Sequence, residues 1–227
     1  PVQDHEASRF LSQAAFGGND TSIAEVVSKG YGAWITDQIG MPRGQTHKEW
    51  LIAQGKHTTA SSADGSMIWL NTIWRKTFSS PDVLRQRMVL ALSELLVVSM
   101  DGLLTIPKPI FAMTHYADLL EQHAFGNYRQ LLEAITLSSA MGTYLSMKGN
   151  KKADPPTNRV PDENFAREIM QLFSIGLYQL NDDGTYRTSA GQAVETYSNE
   201  DIKGVAAALT GWDQSTATDP SGIYPNT

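Results

Sequence analysis

The stretch Asp162-Glu-Asn-Phe-Ala-Arg-Glu-Ile-Met-Gln-Leu-Phe-Ser-Ile-Gly176 decides the fold class. It places four charged side chains in its first seven positions and is then almost wholly apolar. On a wheel of about 100° per residue, Phe165, Ala166, Ile169, Leu172, Phe173 and Gly176 share one stripe. Glu163, Arg167 and Ser174 fall on the opposite side. Glu163 precedes Arg167 by four residues, the favourable order for a helix pair. Asp162 and Glu163 sit where the helix dipole favours negative charge. The charge here is therefore mostly that of an amphipathic helix. Glu168 is the exception, since it falls at the edge of the apolar stripe and needs a donor if half-buried.

Outward from this helix the chain reads as one helix after another. Helical periodicity covers residues 4–15, a segment capped by Asn19-Asp20-Thr21 and stopped at Gly30, and a shorter piece around 33–39. Residues 53–65 are small and polar and read as a loop. Helices are expected over 66–78 and 81–100, the second with Ser80 as cap and Pro81 in its first turn. Another runs from Pro107 and Pro109 to His123, one follows the Asn127 cap, and a short one covers 138–145. Residues 149–161 hold three prolines and no apolar period, and read as a loop. Between 177 and 197, alternation, an Asp-Gly turn and β-branched residues predict a small β-hairpin. Ser198 with Asp201 opens a last helix as a capping-box variant.

The expected fold is therefore mainly α, a compact multi-helix domain over residues 1–212 with one hairpin. Residues 213–227 read as a loop leading to a missing C-terminal part. The expected core includes Phe10, Leu11, Trp69, Trp74, Leu92, Leu95, Leu96, Tyr116, Leu119, Leu131, Leu132, Phe165, Ile169, Leu172, Phe173 and Trp212.

Composition narrows the function. With 227 residues, 41% hydrophobic and 19% charged, the chain fits a globular protein. It has no cysteine, which removes disulfide frameworks, thiolate metal sites and cysteine nucleophiles. A net charge of −6 and the absence of a basic stripe argue against nucleic-acid binding. The longest apolar run, Met88–Met100, spans 13 positions and contains Glu94, too short for a membrane span.

Glu94 lies among apolar neighbours, and a buried ionised Glu there would need a partner; Arg87, seven residues earlier, is the local candidate. Converging in one cleft, Glu94 and Glu168 would form a paired-carboxylate site of hydrolase type, with Arg87 or Arg167 positioning an anionic group. His115 and His123 flank Glu121 on one helix, but no dense ligand set is present and no metal or cofactor is assigned. Asn181-Asp-Asp-Gly-Thr185 lacks the spacing of a calcium loop and reads as a hairpin turn.

Several segments together carry a resemblance. They are Ala7–Gly17, Leu84–Ser99, Ala124–Leu132, Met141–Met147, Asp162–Gly176, Asn181–Gly184 and Thr210–Trp212. In this order the chain resembles the N-terminal part of the DUF1800 family of bacterial proteins. The resemblance implies export to the periplasm or the extracellular space of a Gram-negative bacterium. It also implies a DUF1501-type protein partner and a C-terminal half completing the domain. It supplies no catalytic residue. Many members have a segment of the type FWHxHF where this chain has Leu90-Ala-Leu-Ser-Glu-Leu-Leu-Val97, so chemistry centred there would not carry over. The functional expectation is an exported binding or assembly module. The alternative is an extracellular hydrolase using Glu94 and Glu168.

Overall fold

The computed structural model describes residues 1–56, 62–106, 108–214 and 223–225. It is mainly α, and its contacts divide the chain into two compact units. The first comprises Pro1–Glu94 and Lys108–Ala134, the second Leu95–Pro107 and Ile135–Thr227. Among the described residues no helix is long and apolar enough to cross a membrane.

The first unit begins with α1 (Asp4–Ala14), α2 (Asp20–Lys29) and α3 (Tyr31–Gly40). Asn19 caps α2 by accepting from the Ser22 N–H at 2.9 Å, as its sequence predicts. These helices close over Ala7, Leu11, Val26 and Trp34. Phe10 sets its ring 5.2 Å from Trp34, edge to face. Next come α4 (His47–Ala53), α5 (Ser62–Ser79), α6 (Val83–Leu95) and α7 (Pro109–His123). Helix α7 is central: Ile110, Phe111, Met113, Tyr116 and Leu120 are all buried, and α4 and α5 pack against it. Helix α8 (Tyr128–Thr136) follows the Asn127 cap.

Three boundaries of α5 and α6 differ from expectation. Of the expected 53–65 loop, residues 57–61 lie outside the described residues, and α5 already begins at Ser62. Helix α6 starts at Val83 rather than Pro81. Its first turn is satisfied from a distance: the Gln38 amide accepts from the Leu84 N–H and donates to the Pro81 carbonyl, both at 3.2 Å. Ser80 donates instead to the Asp82 carboxylate. The helix stops at Leu95, ahead of the β-branched pair Val97-Val98.

The second unit holds α9 (Ser139–Tyr144), α10 (Asn164–Gln171) and α11 (Asn199–Ala208). Helix α10 packs on α11 through Ala166, Ile202 and Ala206. It is shorter than its apolar stripe because Gly176 takes a φ of 73° and its N–H returns to the Met170 carbonyl at 3.0 Å. Phe173 still reaches the core, but Leu172 is exposed, against expectation. So are Leu95, at the end of α6, and Trp74.

The expected hairpin is present. Tyr178 bridges Glu195, Leu180 bridges Tyr186, and β1 (Thr188–Ser189) pairs antiparallel with β2 (Gln192–Ala193). Asn181–Thr185 turns the chain between Leu180 and Tyr186, closed by Asn181 N–H to Thr185 O at 2.8 Å, and Ala190-Gly191 joins β1 to β2. Residues 213–227 are not loop throughout, since β3 (Trp212–Gln214) pairs antiparallel with β4 (Ile223–Pro225).

A single-turn helix at Asp101–Leu103 lies against α9. A Cβ on Gly102 would come within 2.6 Å of the Tyr144 ring. Gly102→Ala is therefore expected to destabilise the chain by about 1–3 kcal/mol through a forced shift of that ring, read by urea unfolding. A midpoint equal to that of the parent chain would refute the close packing.

Candidate functional site

The charged residues that the fold gathers most tightly sit inside the first unit, around α7. Asp118 and Glu121 are three residues apart, so they share one face of that helix. Both are buried, and Glu121 has no exposed surface.

Asp118 faces the start of α4. Its Oδ1 accepts from the His47 N–H at 2.8 Å and its Oδ2 from the Lys48 N–H at 3.1 Å. These are first-turn donors that no intrahelical carbonyl can satisfy. Thr46 completes the cap by accepting from the Glu49 N–H at 3.0 Å. A seven-residue helix is thus held by a carboxylate 71 positions away in sequence.

Glu121 faces α5. Lys76 donates to its two oxygens at 2.6 and 2.5 Å, with the ammonium 2% exposed. Gln86 donates to Oε1 at 3.2 Å and to Asp82 Oδ1 at 3.3 Å. His47 brings Nε2 to 3.2 Å from Glu121 Oε1, out of line for a hydrogen bond. Arg85 donates to the backbone carbonyls of Glu121 at 3.2 Å and Met41 at 3.1 Å. Its Nε lies 3.2 Å from Asp82, and its guanidinium covers the Phe125 ring at 4.8 Å. Three carboxylates, two permanent cations and an imidazole are therefore packed out of water.

Two opposed pKa shifts follow. Burial pushes the Glu121 carboxyl up, but His47 and Lys76 together outweigh it and hold the group at about 2. Burial raises Asp118 above its ordinary 3.8, against the N–H donors of α4 and the nearby imidazole.

One ligand atom each from His47, Asp118 and Glu121 lies within 4.8 Å of the others, a spacing in which a divalent ion could be held. The rest of the set fits that poorly. Both Glu121 oxygens already carry the Lys76 ammonium, and both Asp118 oxygens carry backbone donors. A dication would add charge beside two buried cations. What the arrangement does chemically is neutralise buried charge and join α4, α5, α6 and α7.

The residues singled out from sequence lie elsewhere. Glu94 is exposed near the end of α6, not buried, because the helix stops one residue later. Arg87 lies over the Phe16 ring at 5.7 Å, and no ion pair joins it to Glu94 among the described residues. Arg167 pairs with Glu163 at 2.6 Å, in the expected i,i+4 geometry. Glu168 is half-buried, and its Oε2 is enclosed with no hydrogen-bond partner. Glu94 and Glu168 belong to different compact units.

Sequence reading missed His47, Lys76, Asp82, Arg85 and Asp118 and saw Glu121 only beside His115 and His123. One signal was available: Asp118 and Glu121 share a face of a helix that is apolar nearly all round. Lys76 gave none, since its partner is 45 positions away.

The chain belongs to the DUF1800 family of proteins of unknown function, whose profile matches residues 9–225. Neither the curated proteins nor the solved structures contain a match to it.

Glu121→Ala should cost about 3–5 kcal/mol, because it leaves the Lys76 ammonium buried and unpaired. Replacing both, as Lys76→Met with Glu121→Leu, should restore most of that in urea unfolding. A double variant as weak as the single one would mean the pair is not the cause.

The pH dependence has a definite sign. The folded pKa of Glu121 is depressed, so its stabilisation is complete above its ordinary 4.5 and is lost as pH falls from there towards about 2. The loss amounts to about 3 kcal/mol. Asp118, with its pKa raised, acts oppositely: its stabilisation is complete below its ordinary 3.8 and is lost as pH rises above that through its raised folded value. Unfolding between pH 2 and 6 should therefore depend less on acid in Glu121→Gln than in the parent chain. Equal slopes would contradict the depressed carboxyl.

Proposed function

We propose that this DUF1800 protein is an exported binding or assembly module that takes a protein partner on the outer face of α5. One observation carries the reading. Lys76 and Thr72 face inward, and helical spacing then turns Met67, Leu70, Trp74 and Phe78 to the opposite side. All four are exposed, Trp74 by 51% and Phe78 by 78%. The Trp74 and Phe78 rings stack on the surface at 5.3 Å and 14°. A helix that buries an ammonium and shows water its aromatic stripe is composed like the centre of a protein interface, where Trp, Phe and Met are enriched. Export to the periplasm or beyond, and a DUF1501-type partner, rest on the family resemblance.

A carboxylate hydrolase is the second reading. The enclosed, unpartnered Oε2 of Glu168 favours it, being a group that lacks its donor. Arg167 is engaged by Glu163 instead.

The binding reading is tested by calorimetric titration with a DUF1501-family protein from the same organism. Trp74→Ser with Phe78→Ser is expected to weaken association at least tenfold while leaving circular dichroism and unfolding almost unchanged. No association by the parent chain, or equal association by the variant, would overturn it.

A further inference from the structure

We propose that the loop from Ser146 to Asp162, in the second unit, binds a small organic phosphate. The site is an open depression of about 530 Å³ lined by Lys148, Lys151, Arg159, Val160, Pro161 and Asp162.

The frame of the cleft is built. Asn150, 9% exposed, joins its two arms: its amide donates to the Asp162 carbonyl at 3.0 Å and accepts from the Asp162 N–H at 2.8 Å. Gly149 N–H donates to Trp212 O at 2.7 Å, and Gly211 N–H donates to Asn150 O at 2.9 Å. Across the loop, Asp154 and Arg159 exchange backbone hydrogen bonds at 2.9 and 3.2 Å. Arg159 Nε holds the Lys152 carbonyl at 3.0 Å. A loop this cross-linked loses little freedom when a ligand binds.

Charge selects the ligand. The chain carries −6, yet Lys148, Lys151, Lys152 and Arg159 gather in this one loop. Asp154 is taken by Arg159 at 3.7 Å. Asp162 also lines the cleft, and its Oδ1 accepts from the Asn164 N–H at 2.8 Å. No ion pair engages Lys148 or Lys151 among the described residues. Solvated lysines need no explanation when scattered, but Lys148 and Lys151 line one depression whose backbone is cross-linked. Across residues 146–162 four cations stand against Asp154 and Asp162, and this excess of two positive charges suits a dianionic phosphate. The exposed Val160 and the Pro161 ring offer apolar cover for the group that carries it.

The probes are phenyl phosphate, inorganic phosphate and phenol, titrated by NMR chemical shifts on the intact chain. Phenyl phosphate should bind saturably at sub-millimolar concentration, inorganic phosphate more weakly, and phenol without saturation. Lys148→Ala with Lys151→Ala should weaken phenyl phosphate at least tenfold with an unchanged unfolding midpoint. The proposal falls if phenyl phosphate does not saturate, if phenol binds as well, or if the double variant binds equally. Because the α5 face lies in the other unit, its own titration succeeds or fails independently of this one.

Discussion

The contact between Lys76 and Glu121 constrains the first unit more than any other. Taking an ammonium and a carboxylate wholly out of water is costly, and their attraction repays it only with close geometry and further hydrogen bonds. Both conditions are met. Lys76 reaches both carboxylate oxygens, and Gln86 donates to one of them. Rotating α5 about its axis would strand both charges, so the pair sets which face of that helix turns inward.

The outward face follows from that choice. A helix with a broad apolar stripe would ordinarily bury it. In α5 the inward direction is held by Lys76 and Thr72, and the stripe with Trp74 and Phe78 is left to solvent. Such an inversion goes against the local preference of the sequence, and departures of this kind concentrate at functional surfaces. Core chemistry and surface composition are thereby linked through the geometry of one helix.

The second unit reaches order by different means. Its helices are short, and its loops are fixed by reciprocal polar contacts such as that of Asn150 with Asp162. Buried backbone groups must be paired, and in a loop without regular structure side-chain amides supply the partners. The lysines on the 146–162 loop are carried on that frame rather than on a helix or strand.

Local features were legible in the sequence. The helical class, the Asn19, Asn127 and Ser198 caps, the Glu163–Arg167 pair and the Asn181–Thr185 turn all rest on residues within about five positions of each other, where spacing alone sets geometry. Glu94 shows the limit of that reasoning: its apolar neighbours suggested burial, but the helix ended one residue later and left it exposed. Gln38 on α6, Asp118 on α4 and Lys76 on Glu121 act across 45 to 71 positions, and only chain packing brings them together. The sequence by itself determined which elements form and most of their caps. Tertiary structure decided which charges were buried and which apolar faces were left out, because burial depends on neighbours that periodicity along the chain does not encode.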